Sequence, residues 1–130
     1  MSAEQEQQVS DFCLSWLKGD LAASAQYLSE DVEYHNMPWE PVTGHAGFLQ
    51  VFKQFVRDDV NMLQKMDICH TTSPGNIVMN ERLELWVLGE VRMELPVVEM
   101  FEFNSDGKIC RWHDYFDAKT AAPLLEAISK

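Results

Sequence analysis

The sequence predicts an α+β domain with helices packed on one face of a curved sheet, and three observations carry that expectation. Apolar residues recur at helical spacing as far as about Arg57. From Val60 onward the pattern changes to strand alternation. Two hairpin signals, Gly89-Glu90 and Asp106-Gly107, then fold the C-terminal half into an antiparallel meander.

Ser2-Ala3-Glu4-Gln5 has the form of a capping box and opens a first helix. Val9, Phe12, Cys13, Trp16 and Leu17 follow at i, i+3, i+4, i+7 and i+8, the stripe of an amphipathic helix. Gly19 ends it, and Asp20 caps a short second helix through about Leu28. A brief strand, Val32 to Asn36, leads into Met37-Pro38-Trp39-Glu40-Pro41, where two prolines force an irregular loop. A third helix from about His45 to Arg57 buries Phe48, Leu49, Phe52 and Phe55 or Val56. Strands follow over Asn61 to Thr71 and, past the turn signal Ser73-Pro74-Gly75-Asn76, over Ile77 to Leu88. Gly89-Glu90 suits a two-residue type II′ turn, with glycine where positive φ is needed, and Val91 to Phe103 returns. Asp106-Gly107 leads into a last strand, Lys108 to Phe116, and a closing helix runs from about Thr120 to Ser129.

At 130 residues the chain makes a single domain, 1–130, large enough to bury a proper core. A net charge of -11 makes a nucleic-acid backbone or an anionic membrane a poor partner, since both require clustered Lys and Arg. A neutral small molecule or another protein remains. The three cysteines, Cys13, Cys69 and Cys110, form no CxxC pair and are expected as buried free thiols. His35, His45, His70 and His113 lack ligand-like spacing, so neither a metal nor a cofactor is expected. No apolar run reaches the roughly 18 residues of a membrane span, and MSAEQEQQ lacks the features of a secretory signal. The expected location is the cytoplasm.

Turn length fixes register, because strand period is 2. A two-residue loop at Gly89-Glu90 sets Glu84 opposite Leu95, Arg82 opposite Val97 and Asn80 opposite Glu99. A two-residue loop at Asp106-Gly107 sets Glu99 opposite Asp114, Phe101 opposite Trp112 and Val97 opposite Phe116. One face then carries Arg82, Glu84, Glu99 and Asp114 among Trp86, Leu95, Val97, Phe101, Trp112 and Phe116. Buried charge must be paired or neutralised, so an arginine with three carboxyls is a costly way to build a mere core. It reads as the floor of a pocket that moves protons, and at least one of the three carboxyls must hold a proton there. The opposite face mixes Leu83, Leu85, Val87, Val98 and Met100 with Arg111, His113 and Tyr115. A second copy of the same sheet would cover it, which predicts a homodimer.

Tyr34-His35-Asn36-Met37-Pro38, Asn80-Glu81-Arg82-Leu83-Glu84, Leu95-Pro96-Val97-Val98 and Arg111-Trp112-His113-Asp114-Tyr115-Phe116-Asp117 resemble, in order and spacing, the limonene-1,2-epoxide hydrolase family. The resemblance covers nearly the whole chain. It implies the cone-shaped fold of nuclear transport factor 2-like (cystatin-like) proteins, an antiparallel or mixed sheet with helices on its concave face. It also implies one-step opening of an epoxide by an acid-arginine-acid trio, without cofactor. Asp114 then resembles the general base that deprotonates a water, and Tyr34 and Asn36 that water's other partners. Arg82 resembles the arginine between the two acids, and Glu84 stands in place of the family's Asp, the general acid. Glu99 replaces a glycine of the family pattern. With Leu95, Val97, Trp86, Trp112 and Phe116 it is expected to line a pocket for a small, neutral, lipophilic substrate. On the same fold a proton-transfer isomerase or cyclase (ketosteroid isomerase-like or polyketide cyclase-like) and a non-catalytic carrier of lipophilic ligands remain as alternatives.

Overall fold

The computed structural model describes residues 2–129, the side chain of Ser2 excepted, so the capping box expected there lies outside what is described. Helix α1 (Ser2–Ser15) runs into a 3-10 turn, Trp16–Lys18, which Gly19 closes at a φ of 78°. That left-handed angle is open to glycine at no steric cost. Asp20 caps α2 (Leu21–Ala25) by accepting from the Ala23 N–H at 3.1 Å. The chain continues through β1 (Leu28–Met37), β2 (Val42–Thr43), α3 (Gly44–Phe52), β3 (Leu63–Thr72), β4 (Ile77–Leu88), β5 (Val91–Phe103), β6 (Ile109–Tyr115) and α4 (Ala118–Ile128). The six strands form one curled, unclosed sheet in the order β2-β1-β6-β5-β4-β3, mixed because β1 runs parallel to β6.

Two elements differ from expectation for tertiary reasons. Strand β1 begins at Leu28, not Val32, because Leu28 pairs with Ile109 and a register shift over the polar Ser29-Glu30-Asp31 stretch is absorbed between them. Helix α3 stops at Phe52 rather than Arg57. There the Phe55 and Val56 N–H groups both turn back to the Phe52 carbonyl, at 2.9 and 2.8 Å. That early stop sets Phe55 against Trp86, ring centroids 5.3 Å apart.

The β4–β5 register is as the turn implied, with Arg82 opposite Val97, Asn80 opposite Glu99, and Gly89 at a φ of 61°. The β5–β6 register agrees too, Glu99 facing Asp114 and Phe101 facing Trp112, but by another route. The turn is one residue longer, closed by Asn104 and Lys108, and an irregularity between Glu102 and Phe103 takes up the extra residue. The two deviations cancel.

The α1 stripe fills the concave side of the sheet. Val9, Phe12, Cys13 and Trp16 are buried, and Phe12 sets its edge on Trp112 at 5.0 Å while Trp16 stacks on the same indole at 5.4 Å. Among the cysteines only Cys13 is fully buried; Cys110 is half-buried and Cys69 exposed, because Cys69 falls on the outward side of β3. Among the described residues, no helix is long and apolar enough to cross a membrane.

Candidate active site

Side-chain alternation on three adjacent strands delivers the polar groups. Asn80, Arg82 and Glu84 of β4, Glu99 of β5 and Asp114 of β6 all turn to the concave side and are buried. The parallel β1–β6 pairing sets Tyr34 beside Trp112 and Asn36 beside Asp114. Tyr34 stacks on the Trp112 indole at 3.8 Å, and Asn36 Nδ2 donates to its hydroxyl at 2.9 Å.

Arg82 organises the charges. Its Nη2 donates to Glu84 Oε2 at 2.5 Å, while Nη1 forms a close ion pair with Glu99 Oε1 and reaches Cys13 Sγ at 3.3 Å. The guanidinium lies 4.9 Å from the centre of the Trp16 ring, a cation–π arrangement. Trp86 Nε1 donates to Glu84 Oε1 at 3.0 Å. Trp112 Nε1 is shared, 2.9 Å from Glu99 Oε2 and 2.5 Å from Asp114 Oδ1. Among the described residues no ion pair within 4 Å joins Arg82 to Asp114. The resemblance implies an arginine between residues 84 and 114, whereas the structure places it between Glu84 and Glu99. Register explains the difference: Glu99 is a diagonal neighbour of Arg82 on the adjoining strand, and Asp114 lies one strand further.

Beside this network an invagination encloses about 570 Å³, its open mouth included. Glu84 and Asp114 both reach its wall, as do Tyr34, Asn36, Trp86, Leu95, Val97 and Phe116. Glu99 and Trp112, expected in the lining, are not there. Glu99 is 0% exposed behind Arg82, and Trp112 is covered by Phe12, Trp16 and Tyr34. The lining expected from sequence came from the sheet alone and missed the helical side, where Trp16, Phe52, Phe55, Leu124 and Leu125 close the chamber. The aromatic weight of the α1 and α3 stripes was the available signal. A second groove shares Tyr34, Asn36, Trp39 and Phe55 with this cavity and adds Glu40, Val42 and Gln54. Among the described residues, no three His, Cys, Asp or Glu side chains gather in a metal-holding arrangement.

Residues 3–127 match the limonene-1,2-epoxide hydrolase catalytic domain. The chain belongs to the limonene-1,2-epoxide hydrolase family. Its fold is also similar to that of a solved LEH-like epoxide hydrolase from M. tuberculosis. The TM-score is 0.76 at 23% identity, over 92% of this chain and 86% of that one.

In this member of the limonene-1,2-epoxide hydrolase family the two carboxyls on the cavity wall have unequal surroundings. Burial pushes Asp114 up to about 7, against the pull of Arg82, the Trp112 N–H and His113. Burial also raises Glu84, opposed by Arg82 and reinforced by the charge of Asp114. Burial works against charge on Arg82, but the Glu84 and Asp114 carboxylates outweigh it, and the hydrogen bond to the Cys13 sulfur helps keep the guanidinium protonated. Burial and then Asp114 hold the Tyr34 phenol neutral, well above its usual range. Burial likewise pushes the Cys13 thiol up to about 11, so it packs as a neutral donor. Two neighbouring cavity-facing carboxyls, both raised by burial, can share a proton and so take complementary acid and base roles.

Proposed function

We propose that this protein adds water to a small, neutral, lipophilic epoxide in one step, using Asp114 and Glu84 as the acid–base pair. The single observation that supports it is that these two carboxyls, one cationic neighbour and a Tyr34–Asn36 pair converge on one apolar cavity. Membership of the limonene-1,2-epoxide hydrolase family supports the reaction class. Ionised Asp114 takes a proton from a water that Tyr34 and Asn36 also hold. That oxygen forms a bond to one epoxide carbon as the carbon–oxygen bond there breaks. The departing oxygen takes the proton of Glu84, giving a vicinal diol and leaving Asp114 protonated and Glu84 ionised. A proton passed between the two carboxyls restores the site.

Push and pull suit an epoxide because its ring is strained while its alkoxide leaves poorly. The base must be ionised and the acid protonated, so the rate should pass through a maximum with pH, its limbs set by the linked titration of the two carboxyls. An epoxide panel incubated in ¹⁸O-water tests the reading. One labelled oxygen per diol is expected, with less than about a hundredth of the rate in Glu84→Gln. No diol from any epoxide would overturn it, and a rearranged carbonyl product would favour proton-transfer isomerisation instead.

We further propose that the enzyme is a homodimer through its outer sheet face. Val98 and Tyr115 are opposite one another there and 41% and 46% exposed, with Met79 and Met100 paired alongside. Sedimentation should find a dimer, and Val98→Glu should weaken it by about 10²-fold or more. A wild-type monomer at every concentration would exclude the arrangement.

A further inference from the structure

We propose that Glu99 is a positioning residue: as the sealed counter-ion of Arg82, it frees the Glu84 and Asp114 carboxyls to share a proton at the cavity wall. The inference deepens the acid–base reading above and rests on it only for its consequence on turnover.

The partners of Glu99 decide its state. Oε1 faces Arg82 Nη1 and the Cys13 thiol at 3.7 Å, and Oε2 accepts from Trp112 Nε1 at 2.9 Å. Arg82 Nη1 and Trp112 Nε1 can only donate, while the thiol donates to Glu99 and accepts from Arg82. Each Glu99 oxygen therefore faces a group that can only donate, and a carboxylate, which only accepts, fits both contacts. Glu99 is also 0% exposed and absent from the cavity wall, so no substrate or bulk water reaches it. Glu84 and Asp114 differ in both respects, because each keeps an edge toward the cavity.

Without residue 99 as an anion, the guanidinium would have, among the described residues, Glu84 as its one carboxylate partner at hydrogen-bond distance. A lone buried cation holds its partner ionised, and an ionised Glu84 has no proton to donate. With Glu99 present, the positive charge is already matched when Glu84 is neutral. Glu99 also shares the Trp112 N–H with Asp114, so its charge opposes ionisation of Asp114. The charged and titratable groups that face Asp114 are Arg82 and Glu84 of β4, Glu99 of β5, Tyr34 of β1 and Cys13 of α1. His113, its neighbour in β6, acts from the outer face, while α4 presents Ala121 and Leu124 to the cavity.

Glu99→Gln keeps shape and removes the charge, while Glu99→Asp keeps the charge and disturbs the packing. Isotope-edited infrared titration of labelled Asp carboxyls follows Asp114 directly, its band being the one lost in Asp114→Asn. In Glu99→Gln the Asp114 midpoint should fall by about one to two pH units, and in Glu99→Asp by much less. Both limbs of the pH–rate profile should move to lower pH in the Gln variant, and hydrolysis on the alkaline limb should drop about tenfold for each unit moved. An unmoved or raised Asp114 midpoint in Glu99→Gln would overturn the proposal, as would equal shifts in the two variants. A lowered midpoint in a protein that makes no diol would uphold the counter-ion and reject epoxide hydrolysis.

Discussion

Asp114→Asn is expected to cut diol formation by about 10³-fold or more and, above neutral pH, to yield a fold more stable than wild type. The first half follows from the role of the base. Its Oδ1 accepts from Trp112 and the side chain reaches the cavity wall beside Tyr34 and Asn36, so an amide fills the site without taking a proton from water. The second half follows from linkage. An unfolded aspartate loses its proton at about pH 4, whereas burial holds folded Asp114 up to about 7. Between those pH values the native state carries a proton that the unfolded state has lost, so wild-type stability falls as pH rises and levels off above 7. The amide carries no such penalty. Its advantage should grow across that window and reach on the order of 2–4 kcal/mol, at about 1.4 kcal/mol per pH unit. Urea denaturation of both proteins at pH 5 and pH 8 measures it. If Asp114 were one half of a structural ion pair, the substitution would instead cost roughly 3–5 kcal/mol at pH 8. A variant that loses turnover yet still binds the epoxide also separates a catalyst from a carrier.

Much of this geometry could be read from the chain because strand period and turn length are local. Gly89-Glu90 alone sets Arg82 against Val97, and the buried face from Val78 to Trp86 follows from alternation. The second hairpin shows how far such reasoning reaches. Asp106-Gly107 marked the turn, but the longer loop and the compensating irregularity near Cys110 depend on how β6 docks beside β1, which no local signal carries. Element ends failed for the same reason. Phe52 ends α3 where Phe55 is needed against Trp86, and Leu28 joins β1 because Ile109 is there to pair with it.

Within the site, facing was legible and partnership was not. Alternation puts Arg82, Glu84, Glu99 and Asp114 on one side, yet it does not say which carboxyl a long, flexible arginine will reach. Cys13 lies on a helix stripe that reads as core packing, and only the docking of α1 onto β4 and β5 brings its thiol to Arg82 and Glu99. Trp112 reads as lining from sequence because it shares the face of Asp114. The aromatic layer of Phe12, Trp16 and Tyr34 takes it out of the cavity and turns its N–H into the link between two acids.

Arg82→Leu should be the most damaging single change to stability, with a loss of about 3–5 kcal/mol at neutral pH. The guanidinium is 1% exposed and touches Glu84, Glu99, Cys13 and the face of Trp16. Removing it strands the Glu99 carboxylate in a sealed pocket where, among the described residues, the Trp112 N–H and a weak thiol donor remain. The decisive measurement is a double-mutant cycle by urea denaturation. Arg82→Leu/Glu99→Leu removes cation and sealed anion together and should recover about 2 kcal/mol or more of the single-mutant loss, since an apolar pair can replace a buried ion pair at small net cost. Arg82→Leu/Glu84→Gln should recover less, because Glu84 reaches the cavity and can take up a proton there. Equal recovery in the two double variants would mean that the arginine serves both acids alike, and the asymmetry between the sealed and the open carboxyl would be lost as the basis of the site's chemistry.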